Sequence, residues 1–360
     1  MLHLVIDDKI PYIREAAARL GEAVYVPGAK ISPADVRDAD ALIVRTRTRC
    51  DAHLLAGSRV RFVATATIGY DHIDTQYLKQ VGIAWTNCPG CNASSVAQYV
   101  EAALILLAAK GTIRLAPTTT IGIVGVGHVG SQVALAARRL GLRTLLCDPP
   151  RLLAAQDLSS PDNLPIPASA CTASLADVCR EADIVSFHTP LTLPPSPHAT
   201  YHLADQRFFA ALRRQPVVIN TSRGEVVDEQ ALIQALDSAT VRAAVVDTWE
   251  HEPAINRDLL ERTFLSTPHI AGYSADGKAR GTQMALEAVA RFFSLPAAFS
   301  ILPPSVAPTF RYFPEAPDDL ASSYPALALY DPRRDSEALR SDPSRFEQLR
   351  GNYPLRRERF

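Results

Sequence analysis

The chain has 360 residues, of which 47% are hydrophobic and 21% are charged, and its formal net charge is −1. This length exceeds one ordinary core and predicts two or three globular domains. A charge so close to zero argues against recruitment by nucleic acid or by an anionic membrane. The longest apolar run, near residues 102–109, is far shorter than the roughly 20 residues that span a bilayer.

The N-terminal residues predict a first strand rather than a signal peptide. Leu4–Ile6 lead directly into Asp7 and Asp8, without a basic start or a cleavage site, and a cytoplasmic location is the default expectation. The six cysteines are scattered, which predicts reduced thiols. We interpret the C-P-G-C of residues 88–91 as a turn before a helix, since no second pair or Cys/His cluster stands nearby to complete a metal site. A redox pair is the alternative.

Residues 1–93 alternate short strands with short helices, a rhythm that predicts a parallel sheet. The expected strands are Leu2–Ile6, Ala23–Val26, Ala41–Arg45, Phe62–Thr65 and Ile83–Trp85. The expected helices are Tyr12–Leu20, Pro33–Asp38 and Ile73–Gln80. We expect this lobe to bind the substrate and to be completed by a helix over residues 275–293 that returns to it.

Residues 94–274 are predicted to form a second lobe, which begins with a long helix. Apolar residues recur at helical spacing from about Ser94 to Lys110, and Gly111 ends the run. We expect this helix to bridge the two lobes.

The segment over residues 121–148 predicts a dinucleotide-binding unit, because a strand, the turn G-V-G-H-V-G, a helix and a second strand follow one another. In this context Gly125 permits a tight turn, Gly127 lets a pyrophosphate approach the backbone, and Gly130 lets the helix pack against the strand. Asp148 lies 18 residues after Gly130 and can bind the ribose hydroxyls. Its carboxylate would repel a 2′-phosphate, so NAD is predicted rather than NADP.

The rest of the second lobe continues the alternation, so the fold class is α/β with two doubly wound parallel sheets. Further strands are expected at Ile184–Phe187, Val217–Asn220, Arg242–Val246 and Phe264–Ser266, with helices at Leu175–Arg180, Asp205–Leu212 and Asp228–Leu236. The proline- and serine-rich stretch Pro149–Ala170 predicts a surface loop. Any cleft between two such lobes would face the carboxyl ends of the strands.

After Leu295 the composition changes. Six prolines over residues 296–317 prevent regular helix, and residues 331–360 mix arginine with acids on short helical segments. A disordered extension is one interpretation, but the tail is more apolar than such segments usually are. We therefore expect a small module over residues 296–360 that buries its apolar residues against another lobe or another subunit. Those residues are Ile301, Phe310, Tyr312, Phe313, Tyr324, Leu327, Leu329, Tyr330, Phe346 and Leu349.

Three polar residues follow predicted strands of the second lobe, namely Arg223, Glu252 and His269. Loops after parallel strands meet at one edge of a sheet, so these side chains are expected to converge. An arginine can bind a substrate carboxylate, and a histidine can accept a hydroxyl proton as hydride leaves the same carbon. A glutamate on the other ring nitrogen stabilises the imidazolium. The trio predicts oxidation of a 2-hydroxy acid; the other histidines, His188 among them, show no matching partners.

Each of the three has an ordinary structural explanation when taken alone. Arg223 could cap a turn, Glu252 could be a solvated loop acid, and His269 could be satisfied in the core. The joint pattern favours the catalytic interpretation.

Four segments carry a resemblance to a known family: G-V-G-H-V-G, I-N-T-S-R-G-E-V-V-D, D-T-W-E-H-E-P and P-H-I-A-G-Y. They resemble the D-2-hydroxyacid dehydrogenases, whose catalytic arginine, glutamate and histidine fall on Arg223, Glu252 and His269. The resemblance implies a Rossmann NAD lobe and a flavodoxin-like substrate lobe.

Other segments are similar to one branch of that family, among them C-P-G-C-N-A, L-L-C-D-P-P-R, A-G-Y-S-A-D-G-K-A-R-G, Y-D-P-R-R-D and F-E-Q-L-R-G-N-Y. The resemblance implies NAD-dependent oxidation of 4-phospho-D-erythronate to 2-oxo-3-hydroxy-4-phosphobutanoate, a step toward pyridoxal 5′-phosphate. The same branch carries a C-terminal dimerisation domain, so a homodimer with a small α+β module is implied. Two departures are Gln98, where many relatives place a glutamate, and an end at Phe360, where the last domain usually runs on.

The resemblance also implies ligand contacts. Besides the glycines of the turn, NAD contacts would fall on Asp148, Thr189, Thr221, Ser222, Arg223, Asp247 and Gly272. Substrate contacts would fall on Thr46, Thr67 and Tyr273. A terminal phosphate needs a second cationic site: Arg45, Arg47 and Arg49 would point one way if that run stays extended, and Lys278 and Arg280 are the other candidates.

Two alternatives remain open at this point. A sibling dehydrogenase would act on 3-phosphoglycerate, glycerate or hydroxypyruvate. A protein of the same fold can also serve as an NAD-responsive scaffold that binds other proteins, as the corepressor branch of the family does.

Overall fold

The structure is a computed structural model that describes residues 1–154, 164–296, 298–305 and 323–358. The chain forms two compact units. The first combines Met1–Asn92 with Ser274–Val306, and the second combines Ala93–Tyr273 with Ala307–Phe360, each over its described residues. Each unit has its own parallel sheet.

The first unit is built on five strands, all of them parallel to their neighbours in the order β2-β1-β3-β4-β5. The strands are β1 (Leu2–Asp7), β2 (Gly21–Val26), β3 (Ala41–Val44), β4 (Phe62–Thr65) and β5 (Ala84–Thr86). The helices between them are α1 (Arg14–Ala17), α2 (Pro33–Val36), α3 (Ala52–Leu55) and α4 (Thr75–Val81). All five predicted strands are confirmed within about two residues. Helix α3 was not predicted; it begins where the Asp51 side chain accepts from the N–H of Leu54.

The second unit begins with α5 (Ala93–Ala109), which packs along α6 (His128–Arg139). Its other helices are α7 (Pro149–Ala154), α8 (Leu175–Glu181), α9 (Gln206–Ala211), α10 (Glu229–Asp237) and α11 (Arg257–Arg262). Its strands are β6 (Thr120–Val124), β7 (Arg143–Cys147), β8 (Ile184–Phe187), β9 (Val217–Asn220), β10 (Ala243–Val246) and β11 (Leu265–Ser266).

These six strands are parallel and run in the order β11-β10-β9-β8-β6-β7. Strand β6 lies between β7 and β8, so the strand order reverses at β6. In open α/β sheets ligands bind at the carboxyl ends of the strands beside such a reversal. The loops after β6 and β8 through β11 therefore meet at the edge where a ligand is expected.

One prediction for this unit is wrong. The stretch Pro149–Ala170 is not a continuous loop, because α7 occupies Pro149–Ala154 and the Asp148 carboxylate accepts from the N–H of Arg151 at its first turn. A short 3-10 turn covers Ala168–Ala170, and residues 155–163 lie outside the described residues.

Helix α12 (Ala275–Phe292) belongs to the first unit. Its buried face contributes Leu286 and Val289 to a core that also contains Ile6 and Phe62. The cysteines are buried free thiols, and residues 88–91 form a turn before α5, both as expected. Over the described ranges, no helix is long and apolar enough to cross a membrane.

The described part of the tail contains three helices, α13 (Pro325–Leu329), α14 (Arg333–Ser341) and α15 (Phe346–Gly351), which pack within the second unit. Leu327, Tyr330, Leu339 and Phe346 are buried there. Phe310, Tyr312 and Phe313, which the sequence also predicted to be buried, lie outside the described residues. A separate dimerisation module stays a prediction.

Candidate active site

The turn after β6 has the geometry that a dinucleotide-binding turn requires. Gly125 has φ of 85°, and a Cβ there would lie 2.8 Å from the carbonyl carbon of His188. A Cβ on Gly130 would lie 1.9 Å from the carbonyl oxygen of Gly125, so α6 packs against the turn only because this residue is glycine. A Cβ built on Gly127 would meet no atom of the described residues within 4 Å, its own chain neighbours aside.

Asp148 and Thr189 flank this turn. The Asp148 carboxylate accepts from the N–H of Val126 at 2.8 Å, which holds it beside the glycines. The hydroxyl oxygen of Thr189 is buried without a partner in the described part of the chain, and its methyl group faces Gly125. A buried hydroxyl without a partner costs about 1–3 kcal/mol, so it indicates a group that ligand binding satisfies.

His188 links β8 to the loop after β9. Its Nε2 is 2.8 Å from the hydroxyl of Ser186, and its Nδ1 is 3.2 Å from the hydroxyl of Thr221. Burial lowers the pKa of His188 to about 3, so the ring is neutral at physiological pH. This histidine fixes the Thr221 side chain rather than exchanging protons.

The loop after β9 presents Arg223. The side chain of Asn220 closes the loop, since its oxygen accepts from the N–H and hydroxyl of Ser222 and its amide donates to the carbonyl of Arg223 at 2.9 Å. Gly224 then lies directly on the next loop, because a Cβ there would be 2.0 Å from the carbonyl carbon of Trp249. The loops after β9 and β10 are therefore in contact.

His269 and Glu252 form the hydrogen-bonded pair that the sequence predicted. Nδ1 of His269 lies 3.0 Å from Oε1 and 2.9 Å from Oε2 of Glu252. Since Nδ1 faces a carboxylate, Nε2 is the ring nitrogen that can exchange a proton, and it has no partner among the described residues. The Glu252 carboxylate also accepts from the N–H of Trp249 at 3.0 Å, which ties the pair to the loop beside Gly224.

Asp247 holds the loop that carries His269. One of its oxygens accepts from the hydroxyl of Thr267 at 2.6 Å and from the N–H of Ile270 at 2.8 Å, and the other accepts from the N–H of Ala271 at 3.0 Å. These bonds hold the loop in which His269 has a φ of 55°, a left-handed conformation that a non-glycine residue rarely adopts. Asp247 is 1% exposed, and its hydrogen bonds in this structure are made to residues of this loop.

A second histidine–carboxylate pair corrects the expectation that the other histidines show no matching partners. Nε2 of His202 lies 2.6 Å from Glu250, and its Nδ1 lies 3.8 Å from Asp228. The N–H of His202 donates to the carbonyl of Glu225. This pair connects neighbouring loops of the second unit.

The predicted substrate contacts Thr46 and Thr67 lie in the first unit. Thr46 is exposed in the turn after β3. The hydroxyl of Thr67 donates to the carbonyl of Gly69 at 2.9 Å and lies 2.7 Å from the hydroxyl of Thr65. Thr67 gives its one hydroxyl proton to Gly69, so Thr65 donates its own proton to Thr67. The oxygen of Thr65 must then accept from Nε2 of His72, which lies 3.1 Å away. Burial lowers the pKa of His72 to about 4.

The arginine run after β3 does not stay extended. The chain turns at Thr46 and Arg47, so Arg45, Arg47 and Arg49 are not spaced as alternating residues of a strand. Nε of Arg45 pairs with the buried carboxylate of Asp7 at 3.1 Å. The pKa of Lys278 in α12 is lowered by burial and by the charge of Arg45, so one member of each predicted cationic cluster interacts electrostatically with the other in this unit.

The comparisons with known proteins identify the family. The model of the D-isomer specific 2-hydroxyacid dehydrogenase NAD-binding domain matches residues 100–271. Erythronate-4-phosphate dehydrogenase of Bacteroides fragilis is 51% identical over 358 residues, which are 99% of this chain and 97% of that protein. The protein of the same name from Bacteroides thetaiotaomicron is 49% identical over 359 residues, again 99% of this chain and 97% of that protein.

This chain belongs to the D-isomer-specific 2-hydroxyacid dehydrogenase family, as its sequence motifs indicated. It is an NAD-dependent oxidoreductase of the CH–OH class. NAD⁺-bound 3-phosphoglycerate dehydrogenase from Entamoeba histolytica, 22% identical, matches 85% of this chain and 99% of that chain with a TM-score of 0.65, which shows the shared fold. The predicted α/β class with two parallel-sheet lobes is confirmed.

Two arginines of the tail contact this site, and no sequence motif predicted these contacts. Arg350 reaches Tyr273 and Glu252. Arg356 is completely buried and donates to the side chain of Gln98 and to the carbonyl of Ile270. The glutamine in α5 therefore has a tail partner. The motif F-E-Q-L-R-G-N-Y marked the segment but gave no indication of what it contacts.

The position of Asp148 makes a testable prediction for the cofactor. The unmodified protein is expected to prefer NAD strongly, and Asp148→Ala should weaken NAD binding more than NADP binding, because the lost carboxylate both binds hydroxyls and repels phosphate. The ratio of the two dissociation constants is the measurement, since Asp148 also holds the turn at Val126. Asp148→Asn serves as the isosteric control and should shift the ratio in the same direction. Equal efficiency with both cofactors in the unmodified protein would contradict the prediction.

Proposed function

We propose that this protein oxidises 4-phospho-D-erythronate to 2-oxo-3-hydroxy-4-phosphobutanoate with NAD, a step in pyridoxal 5′-phosphate biosynthesis. The observation that carries the proposal is the His269–Glu252 pair. Glu252 follows β10 and His269 follows β11, and both strands belong to the sheet in which β6 leads into the dinucleotide turn. The names of relatives that match nearly the full chain support this substrate.

The proposed chemistry removes one proton and one hydride from the substrate. Nε2 of His269 accepts the proton of the C2 hydroxyl, while Glu252 on Nδ1 stabilises the ring as it becomes positive. Arg223 binds the carboxylate next to the reacting carbon and orients the C2–H bond. When bound, NAD accepts the hydride.

The residues around the glycine turn fit NAD. Asp148, which is held beside the glycines, would bind the ribose hydroxyls, and the buried, unpartnered hydroxyl of Thr189 would bond to the ligand. The open space at Gly127 suits the pyrophosphate, which the first N–H groups of α6 would bind. We propose further contacts at Thr221, Ser222, Asp247 and Gly272, as the family resemblance implies.

Arg45 and Lys278 are the proposed phosphate ligands. Arg45 pairs with Asp7, but burial and the Arg45 charge still lower the pKa of Lys278, and a dianionic phosphate offsets the repulsion between the two cations. Thr46, in the turn next to Arg45, and Thr67 are proposed to contact the rest of the substrate, together with Tyr273.

We also propose that different parts of the chain bind the substrate, bind NAD and form the dimer. Residues 1–93 with helix 275–293 bind the substrate, residues 94–274 bind NAD, and residues 296–360 contribute to a homodimer. The proposed location is the cytoplasm.

The dimer has a direct test. Light scattering of the full-length protein at micromolar concentration is expected to give the mass of two chains. Deletion of residues 296–360 is expected to cause aggregation, since it removes Tyr330, Leu339 and Phe346 from the core of the second unit. A monomeric mass for the intact protein would contradict the dimer.

Steady-state assays with NAD and a panel of 2-hydroxy acids test the proposed function. Turnover of 4-phospho-D-erythronate above all other acids supports it. Preference for 3-phosphoglycerate or glycerate would indicate a sibling dehydrogenase, and the absence of turnover with every acid would favour a scaffold.

A further inference from the structure

Arg350 of α15 reaches the candidate active site of the second unit. Its Nε donates to the hydroxyl oxygen of Tyr273 at 3.0 Å, and its Nη1 lies 3.4 Å from Oε2 of Glu252. The guanidinium carbon is 5.9 Å from the centre of the Tyr273 ring. Only 20% of the Arg350 side chain is exposed, so these contacts are made largely away from solvent.

The tail is anchored on both sides of Arg350. Phe346, one helical turn earlier, is completely buried in the core of the second unit. Arg356, six residues later, donates to the carbonyl of Ser95 at 2.6 Å and to that of Ile270 at 3.3 Å. Since Ile270 directly follows His269, the same segment supports the histidine loop. Arg350 is therefore held in place by its own chain and is not a mobile surface side chain.

We propose that Arg350 is a positioning residue for the dehydrogenase reaction, which holds the Glu252 carboxylate against His269 and orients the hydroxyl of Tyr273. A phenol oxygen that accepts from Arg350 directs its own hydrogen away from the guanidinium. This inference rests on the catalytic roles proposed for Glu252 and His269.

The charges around the pair give Arg350 a measurable effect. Burial acts to raise the pKa of Glu252, but the pKa is lowered, because His269, the N–H of Trp249 and the Arg350 charge outweigh burial. Two acids also bear on the pair, namely Asp247, which interacts with His269, and Glu229, which interacts with Glu252. When ionised, these two acids favour the protonated His269 ring, whereas the positive charge of Arg350 disfavours it. Without Arg350, His269 should keep its proton to higher pH.

Arg350→Met tests this inference. We expect kcat/KM to fall by about 10- to 100-fold, because the site loses the two hydrogen-bonded contacts of one partly buried charged residue. The pH midpoint of the acidic limb of kcat/KM should rise by roughly 0.5 to 1 unit. Arg345→Met is the matched control, since Arg345 is exposed and contacts Gln348 within the tail. It should leave kcat/KM and the midpoint unchanged.

Arg350→Lys separates charge from geometry. A lysine keeps the charge, so the pH midpoint of kcat/KM should equal that of the unmodified protein. A single ammonium group cannot make both contacts, so KM for the acid should be higher than in the unmodified protein. An unchanged midpoint in Arg350→Met overturns the proposal even if activity falls, because that result indicates a purely structural role. If Arg350→Met fails to fold, Arg350→Lys decides alone: a KM equal to that of the unmodified protein overturns it.

A measurement without substrate distinguishes this inference from the proposed function. NMR titration of the ¹⁵N-labelled His269 ring requires no turnover, so it gives an answer even if 4-phospho-D-erythronate is not the substrate. An upward displacement of the midpoint in Arg350→Met supports the role of Arg350. Equal midpoints in the two proteins overturn it, while inactivity with 4-phospho-D-erythronate contradicts only the proposed substrate.

Discussion

Replacement of His269 by alanine is expected to lower kcat by about 10²- to 10⁴-fold, the usual contribution of a general acid–base group. The ring is held by Glu252 at Nδ1, which leaves Nε2 as the group that takes the hydroxyl proton. The dinucleotide turn at Gly125 is made by other loops, so NAD binding should persist. Stopped-flow measurement of NADH formation and fluorescence measurement of NAD binding check the two parts.

The second histidine–carboxylate pair provides the matched control. His202→Ala breaks a pair of similar geometry, 2.6 Å from Glu250, and should keep kcat within a few fold. Glu252→Gln should cost less than His269→Ala and should lower the pH midpoint of kcat/KM, since a neutral partner no longer favours the imidazolium. A His269→Ala variant with near-normal kcat would show that another residue is the base.

Replacement of Lys278 by methionine is expected to lower kcat/KM for 4-phospho-D-erythronate by about 10- to 100-fold, because a charge-assisted hydrogen bond contributes about 1.5–3 kcal/mol. The same variant should use unphosphorylated D-erythronate as well as the unmodified protein does. The difference arises because the lysine is proposed to contact only the terminal phosphate, with Arg45 as its neighbour. Steady-state kinetics with both acids measure the ratio.

Lys79→Met is the control for this prediction, since Lys79 is an exposed residue of α4 in the same unit. This variant should leave kcat/KM unchanged for both 4-phospho-D-erythronate and D-erythronate. Equal losses for both acids in Lys278→Met would indicate damage to the fold of the first unit, and an unchanged ratio would exclude Lys278 from the phosphate site.

The sequence predicted most of the sheet architecture because each strand is a short, almost wholly apolar run. The runs at Phe62–Thr65, Ile184–Phe187 and Val217–Asn220 match the observed strands residue for residue. Buried parallel strands are apolar on both faces, so they contrast sharply with the capped helices around them. Short helices were harder, and α3 and α11 depend on single caps, from Asp51 and from Asn256.

The polar contacts of the site were only partly predictable. The His269–Glu252 pair could be inferred because both residues follow strands of one sheet. The contact of His202 with Glu250 joins loops 48 residues apart, and that of Arg350 with Glu252 joins residues 98 apart. Hydropathy patterns carry no information on such pairs, because the first depends on how two loops pack and the second on how the tail packs. The orientation of Arg45 could not be predicted, because it depends on the turn at Thr46 and Arg47 that the arginine run does not indicate.

The ratio of kcat/KM for 4-phospho-D-erythronate to that for D-erythronate, with NAD, tests the central claim most directly. Two phosphate contacts should make the phosphorylated acid about 10²- to 10⁴-fold better. It should also exceed 3-phosphoglycerate, which is shorter by one carbon. Comparable values for the phosphorylated and unphosphorylated acids would contradict the proposed substrate.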